Sequence, residues 1–298
     1  MSAMSRVARP PRIALWFWGA RPRTLGAAVV PVLVGSASVE TASAWRTAGA
    51  LAVALGLQIG VNYLNDYQDA QRGVDTGERV GPVRLVASGL ASSRAVATAG
   101  VCALGVAAVS GILLAQAAGW WLMGVGAACV VGAVMYAGGP RPYGSIGFGE
   151  VAVFVFFGLV ATCGTAYVHA RDIPAEAWWS SVGIGLLAVA ILVANNLRDI
   201  PTDEAANKRT LAVRLGAGRT RTLYRAVVVA GLAIPVAGVV ADVVPAEGLL
   251  ALVAAPLALR PLRDIGDAEG PALVPVLPQT AAVHAVAGLG VAVGLWVS

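Results

Sequence analysis

The sequence predicts an all-α, multi-pass membrane protein with nine transmembrane helices in one domain spanning residues 1–298. Three observations carry that expectation. Hydrophobic residues make up 58% of the chain and charged residues 12%, where a soluble domain carries about 25% charged residues. Mean hydropathy is +0.76. Apolar runs recur along the chain at lengths suited to a bilayer, whose hydrocarbon core takes roughly 20 apolar helical residues to cross.

Residues 1–23 form a basic N-terminal segment in which Trp16, Phe17 and Trp18 suit the headgroup level, where amphipathic rings concentrate. The nine apolar runs follow at about 24–39, 47–66, 93–116, 119–137, 148–169, 177–197, 222–241, 246–260 and 278–297, the first and eighth being short. The basic start, the first run and "TASA" (41–44) imitate a secretory signal with its small-residue cleavage site. The run is longer than a signal core and eight more follow, so a retained helix is expected. Cys102, Cys129 and Cys163 fall inside runs without metal-ligand spacing and read as small packing residues. His169, at a run end, and His284, inside the last run, read as packing or hydrogen-bonding groups.

Basic residues are retained on the cytoplasmic side of a membrane. With nine spans and the N-terminus inside, 19 of the 21 Lys and Arg residues fall on that side, leaving Arg46 and Arg171 outside. This places the chain in the cell membrane with a cytoplasmic N-terminus and an external C-terminus. The formal charge of +5 then describes a basic inner face, and no nucleic acid is implied.

Acidic residues cluster. Seven of the 16 lie in two segments on the basic side: Asp66, Asp69, Asp75 and Glu78 in one, Asp199, Asp203 and Glu204 in the other. The segments are partial repeats. "NYLNDYQD" supplies Asn62, Asp66 and Asp69, and "NNLRDIPTD" supplies Asn195, Asp199 and Asp203. Steps of three and four return to one helical face, so each triplet points one way, unless Pro201 ends the second helix. Like charges at that spacing repel, and near lipid they are costly.

A divalent cation removes the cost, and Asp and Asn oxygens are what hard magnesium prefers, usually one or two carboxylates completed by substrate phosphates. The same segments carry Arg72, Arg79, Arg84, Lys208, Arg209 and Arg214, enough positive charge for an anion as large as a diphosphate. Singly, each motif also suits a helix cap or a solvated loop. Taken together, they leave two classes: a metal-dependent enzyme with a diphosphate leaving group, and an anion-coupled transporter built from half-repeats. A transporter is expected to place polar groups near the membrane centre, and here they gather at one face.

The stretches "ARPRTL" (20–25), "QIGVNYLNDYQDAQRGVDT" (58–76), "GPVRLVASG" (81–89), "GGPRPYGSIGFGE" (138–150) and "NNLRDIPTDEAANKRTLAVRLG" (195–216) resemble the UbiA superfamily of intramembrane prenyltransferases. Within it they look most like the branch acting on 1,4-dihydroxy-2-naphthoate in menaquinone biosynthesis. The last stretch is the most specific; the final three runs match in hydropathy alone. The superfamily's third acid would fall at Gly73, and the next acid, Asp75, gives the Gly-x-Asp ending of the naphthoate branch.

The resemblance implies nine helices around a membrane-embedded cavity and Mg2+ as cofactor. It also implies a polyprenyl diphosphate donor, 1,4-dihydroxy-2-naphthoate or a related acceptor such as 4-hydroxybenzoate, and the lipid bilayer as surroundings. Asp66 and Asp69 would hold one magnesium and Asp199 and Asp203 a second. Asn62, Asn65 and Asn195 would support them. Arg72, Arg84, Lys208 and Arg209 would contact diphosphate, with Lys208 the chain's one lysine. Arg21 and Arg23 would close the mouth. Tyr136 and Tyr143, flanking "GGPRP" near the same face, suit either an aromatic platform for the cation or acceptor or an interfacial anchor.

Overall fold

The computed structural model describes residues 11–71, 83–138 and 142–298, and among them every regular element is helical. Helix α1 (Arg12–Gly19) leaves Phe17 and Trp18 exposed, while Trp16 packs edge-on against Tyr63, as an interfacial helix should. Arg21 then takes left-handed backbone angles (φ 56°, ψ 65°), and Pro22 opens α2 (Pro22–Ala37). Proline suits a first helical turn, where its missing N–H has no partner to lose.

Helix α3 (Ala44–Gln71) has 28 residues. At 1.5 Å per residue it runs about 42 Å, beyond the roughly 30 Å of hydrocarbon. Its polar last turns are therefore carried past the apolar zone. Helix α4 (Ser93–Ala118) starts where the Ser92 hydroxyl accepts from Ala95 N, and it stops at Gly119. Helix α5 (Leu122–Ala137) lies beside it. The outer faces of both present Val101, Val109, Leu113, Val131 and Met135, which suits contact with lipid.

The next rod begins as α6 (Gly149–Val153), loosens into a π turn over Phe154–Val160 and resumes as α7 (Ala161–Ala170). Helix α8 (Ala175–Arg198) is the most buried of the long helices. It is followed by the short α9 (Ile200–Ala205) and by α10 (Leu211–Val240), which bends at Gly216 (φ 74°). A 3-10 segment over Ala246–Ala254 leads into α11 (Ala255–Asp264), and α12 (Val276–Val297) closes the fold. Leu187, Val193, Tyr224, Val228, Ile265 and Val283 form part of one core joining α8, α10, α11 and α12.

Each expected apolar run coincides with a helical segment. Six helices among the described residues are long and apolar enough to cross a membrane: Ala44–Gln71, Ser93–Ala118, Gly149–Ala170, Ala175–Arg198, Leu211–Val240 and Gly270–Val297. The first and fourth runs form shorter apolar helices, and the eighth divides between 3-10 and α geometry. His169 is the hydrogen-bonding group expected: Nδ1 accepts from Ser43 N at 3.1 Å, and Nε2 lies 3.3 Å from the hydroxyls of Ser36 and Thr47. Cys163 is buried, whereas Cys102 is exposed on α4 rather than in the core.

Candidate active site

The expected common face at the end of α3 is present: Asn62, Asp66 and Asp69 are all buried. Asn62 Nδ2 donates to Ala20 O at 2.9 Å, tying α3 to the junction between α1 and α2. The Asp66 carboxylate accepts from Leu85 N at 2.6 Å and from Val86 N at 3.3 Å, so the turn after residue 83 folds onto it. Asp69 Oδ2 accepts from Arg84 Nη2 at 2.7 Å, a charge-assisted bond between two mostly buried side chains. Asn65 is half-buried. Arg72, and Asp75 with it, lie outside the described residues.

The second triplet keeps its register despite Pro201. Helix α8 ends at Arg198, Asp199 adopts φ −90° and ψ 3°, and Pro201 sits in the first turn of α9, where it is tolerated. Asp203 N still reaches Asp199 O at 2.8 Å. Arg198, which sequence reasoning counted only toward topology, holds both Asp199 oxygens at 2.7 Å and Asn195 Oδ1 at 2.8 Å. Asn195 Nδ2 lies 3.3 Å from Asp199 Oδ2. Lys208 Nζ stands 3.6 Å from Asp203 Oδ1, and Lys208 N donates to Asp203 O, closing a turn over the carboxylate. The Arg209 side chain is exposed, while its backbone N–H donates to Ser145 O at 2.7 Å.

Arg21 lies near the first cluster. Its charge reaches the Asp66 carboxylate and the Tyr136 hydroxyl, and Tyr136 is also reached by the charges of Asp203 and Glu150. Tyr136 and Tyr143 stand edge to face at 5.5 Å, an ordinary aromatic pairing, and Gly144 is required there. A Cβ at Gly144 would come within 2.8 Å of Tyr136 O. Burial pushes the Tyr143 phenol up to about 12, so it acts as a neutral donor, bonded to Gly132 O at 2.7 Å. Glu150, buried, accepts from Asn196 Nδ2 at 2.9 Å. Sequence reasoning passed over this pair. The available signals were the second amide in "NN" and an acid in the apolar run after "GFG".

Among the described residues no three Asp, Glu, His or Cys side chains converge as a metal cage. Each cluster instead offers carboxylate and amide oxygens facing cations of the chain itself. That donor set fits magnesium, which takes one or two carboxylates and completes its shell with phosphate oxygens and water. A soft or nitrogen-seeking metal would not suit it.

A helical membrane bundle with two buried acid clusters, each met by its own basic residues, has the organisation of an intramembrane enzyme. The chain belongs to the UbiA prenyltransferase family, whose model matches residues 28–268. It is 49% identical over 286 residues to the 1,4-dihydroxy-2-naphthoate octaprenyltransferase of Mycobacterium tuberculosis, covering 94% of this chain and 96% of that one. The protein of the same name from Haemophilus influenzae is 32% identical, with 95% and 96% covered. In fold it is similar to a UbiA homolog from Aeropyrum pernix K1, with TM-score 0.68, 14% identity, and 92% and 97% covered. It is also similar to a UbiA homolog from Archaeoglobus fulgidus bound to GPP and Mg2+, with TM-score 0.66, 14% identity, and 93% and 99% covered.

Proposed function

We propose that this chain transfers a polyprenyl group from a polyprenyl diphosphate to 1,4-dihydroxy-2-naphthoate, releasing diphosphate and carbon dioxide and forming demethylmenaquinol. What carries the reading is the end-to-end likeness to a naphthoate octaprenyltransferase at 49% identity. The paired acid clusters supply a physical reason. The reaction breaks the allylic C–O bond, sends its electron pair out with diphosphate and forms a carbon–carbon bond with an electron-rich ring.

Asp66 and Asp69 hold one magnesium ion in this reading, and Asp199 and Asp203 a second. The chemistry supplied by bound magnesium is neutralisation of the charge on the departing diphosphate. Arg84 and Lys208, paired with Asp69 and Asp203 in the structure, would with Arg72 and Arg209 supply positive charge for diphosphate. Asn62 sets the register of α3 against the α1–α2 junction, while Asn65 and Asn195 orient ligands. Arg21 reaches over the mouth. Tyr143, held neutral, presents a ring to the acceptor. Helices around the site exclude water, which would otherwise capture the allylic cation. Nine spans of the cell membrane, with the N-terminus cytoplasmic and the C-terminus outside, place this chemistry on the inner face.

The test uses membranes containing the chain, a prenyl diphosphate and acceptor labelled in its carboxyl carbon. Labelled carbon dioxide and an unlabelled prenylated product are expected, both abolished by chelator and restored by magnesium. A prenylated product that keeps the label would exclude the naphthoate acceptor.

A further inference from the structure

Glu150 has a feature that neither acid cluster shares. It is 6% exposed; Asn196 Nδ2 satisfies Oε1 at 2.9 Å, and no other described residue donates to Oε2. A buried acceptor left without a donor costs about 1–3 kcal/mol, and more when charged. Such a cost calls for an explanation in a folded protein, and a donor arriving with a ligand is one.

The surroundings say which donor. A Cβ on the preceding Gly149 would come within 3.8 Å of Tyr136 Cε2, so that ring packs beside the start of α6. Tyr136 pairs with Tyr143, and the charges of Glu150, Asp203 and Arg21 all reach its hydroxyl. Glu150 thus stands near an aromatic pair whose Tyr136 hydroxyl also feels the charge of Asp203 in the second acid cluster. A cation is a poor occupant, since Glu150 is a single carboxylate and Asn196 already donates an N–H to its other oxygen. A hydroxyl carried on an aromatic ring fits both the acceptor oxygen and the aromatic walls.

We propose that Glu150 is the catalytic base for the acceptor, taking the proton of the ring hydroxyl next to its carboxylate. The inference rests on the naphthoate reading above. As that proton moves to Oε2, the ring's electron pair forms the new bond at the carboxylate-bearing carbon, and the allylic C–O pair leaves with diphosphate. The ring oxygen is then a ketone β to the carboxylate. Loss of carbon dioxide returns the carbon–carbon pair to the ring, and the enolate oxygen recovers its proton from Glu150. No oxidant or reductant is needed. Asn196, holding Oε1, keeps Oε2 free for the exchange.

The experiment compares purified full-length wild type with Glu150→Gln, whose carbonyl retains the bond from Asn196. Turnover of 1,4-dihydroxy-2-naphthoate should fall about a hundredfold or more, the scale of one positioned base. Magnesium-dependent binding of a non-hydrolysable prenyl thiodiphosphate should not change. The gap should persist with 4-methoxy-1-hydroxy-2-naphthoate, which keeps the relevant proton, and close with the 1-methoxy isomer, which lacks it. A gap below threefold, weakened thiodiphosphate binding or an equal gap with the 1-methoxy acceptor would overturn the proposal. If Glu150→Gln fails to fold, Glu150→Asp replaces it, with a smaller loss expected and the same acceptor pattern required. Wild type that binds thiodiphosphate but prenylates no naphthoate would remove the acceptor reading and this proposal together.

Discussion

Arg198 grips both carboxylate oxygens of its chain neighbour Asp199, Nε to Oδ1 and Nη2 to Oδ2, each at 2.7 Å, with both side chains under a tenth exposed. A planar guanidinium meeting a carboxylate in two parallel bonds is the strongest ion pair available to a protein side chain. It would also share those oxygens with any metal held there. In the proposed reading guanidinium and cation would therefore compete for Asp199.

Arg198→Ala should expose that competition. Removing one member of a buried pair costs roughly 3–5 kcal/mol, because the remaining charge is stranded. The variant should melt at lower temperature in metal-free detergent, and magnesium should raise its midpoint more than it raises that of wild type. Thermal melting with and without the ion measures both. Equal magnesium shifts in the two proteins would mean that no exchange of partners occurs at Asp199.

The two clusters should fail alike when their charge is removed. Asp66→Asn keeps one oxygen for the Leu85 and Val86 N–H groups, and Asp199→Asn keeps one for Arg198, so both proteins should still insert. Turnover should drop about a hundredfold or more in each, the scale of losing one preorganised electrostatic group. Prenyl transfer, normalised to protein recovered in membranes, reads the effect. Near-normal turnover in either variant would reduce that carboxylate to a helix cap.

Packing sets where the first cluster stands. Gly56 and Gly60, one turn apart on α3, lie against α4: a Cβ on Gly56 would sit 2.7 Å from Ala103 O, and one on Gly60 2.7 Å from Leu104 Cδ2. Small residues at this spacing let membrane helices approach closely. Gly60→Val should cost about 1–3 kcal/mol through overpacking. Because Asp66 lies on the same helix just beyond Gly60, activity should fall further than the loss of folded protein explains. The comparison is specific activity of the folded fraction against its thermal midpoint.

The helices and acid triplets could be read from the sequence because they rest on short-range rules. Apolar runs long enough to span hydrocarbon report helices directly, and steps of three and four put Asn62, Asp66 and Asp69 on one buried face. The continuation past Pro201 was open, since the same proline either ends a helix or begins one; Asp199 at φ −90° settles it by starting α9. Contacts across the fold were not readable. Asn196 and Glu150 are 46 residues apart and meet only because the start of α6 packs on α8. Arg198 was hidden differently: a basic residue beside an acid looks like topology until the side chain folds back on its neighbour. The π turn at Phe154–Val160 has no local signature either; within it Gly158 packs closely on Gly185 of α8, a contact between segments distant in sequence.

The count of membrane crossings decides where the chain ends. Six helices among the described residues meet the length and hydropathy of a span on their own. An even number of crossings would return the C-terminus to the side of the N-terminus. Nine crossings need α2, α5 and the rod from Ala246 to Asp264 to span as well. Helix α5 has 16 residues, about 24 Å at the α-helical rise, short of the hydrocarbon unless the bilayer thins or flanking residues extend it. Trp120 and Trp121, exposed just before it, suit an interfacial anchor at one end, and Tyr136 and Tyr143 suit the other. The rod over Ala246–Asp264 gains length from its 3-10 part, which rises about 2.0 Å per residue. All nine are therefore expected to cross. A phosphatase that is active only outside the cell, fused after Ser298, should show full activity, and a fluorescent protein that matures only in the cytoplasm should stay dark there. The reverse pattern would mean that one or three of these rods do not cross, and would move the assignment of inner and outer loops with them.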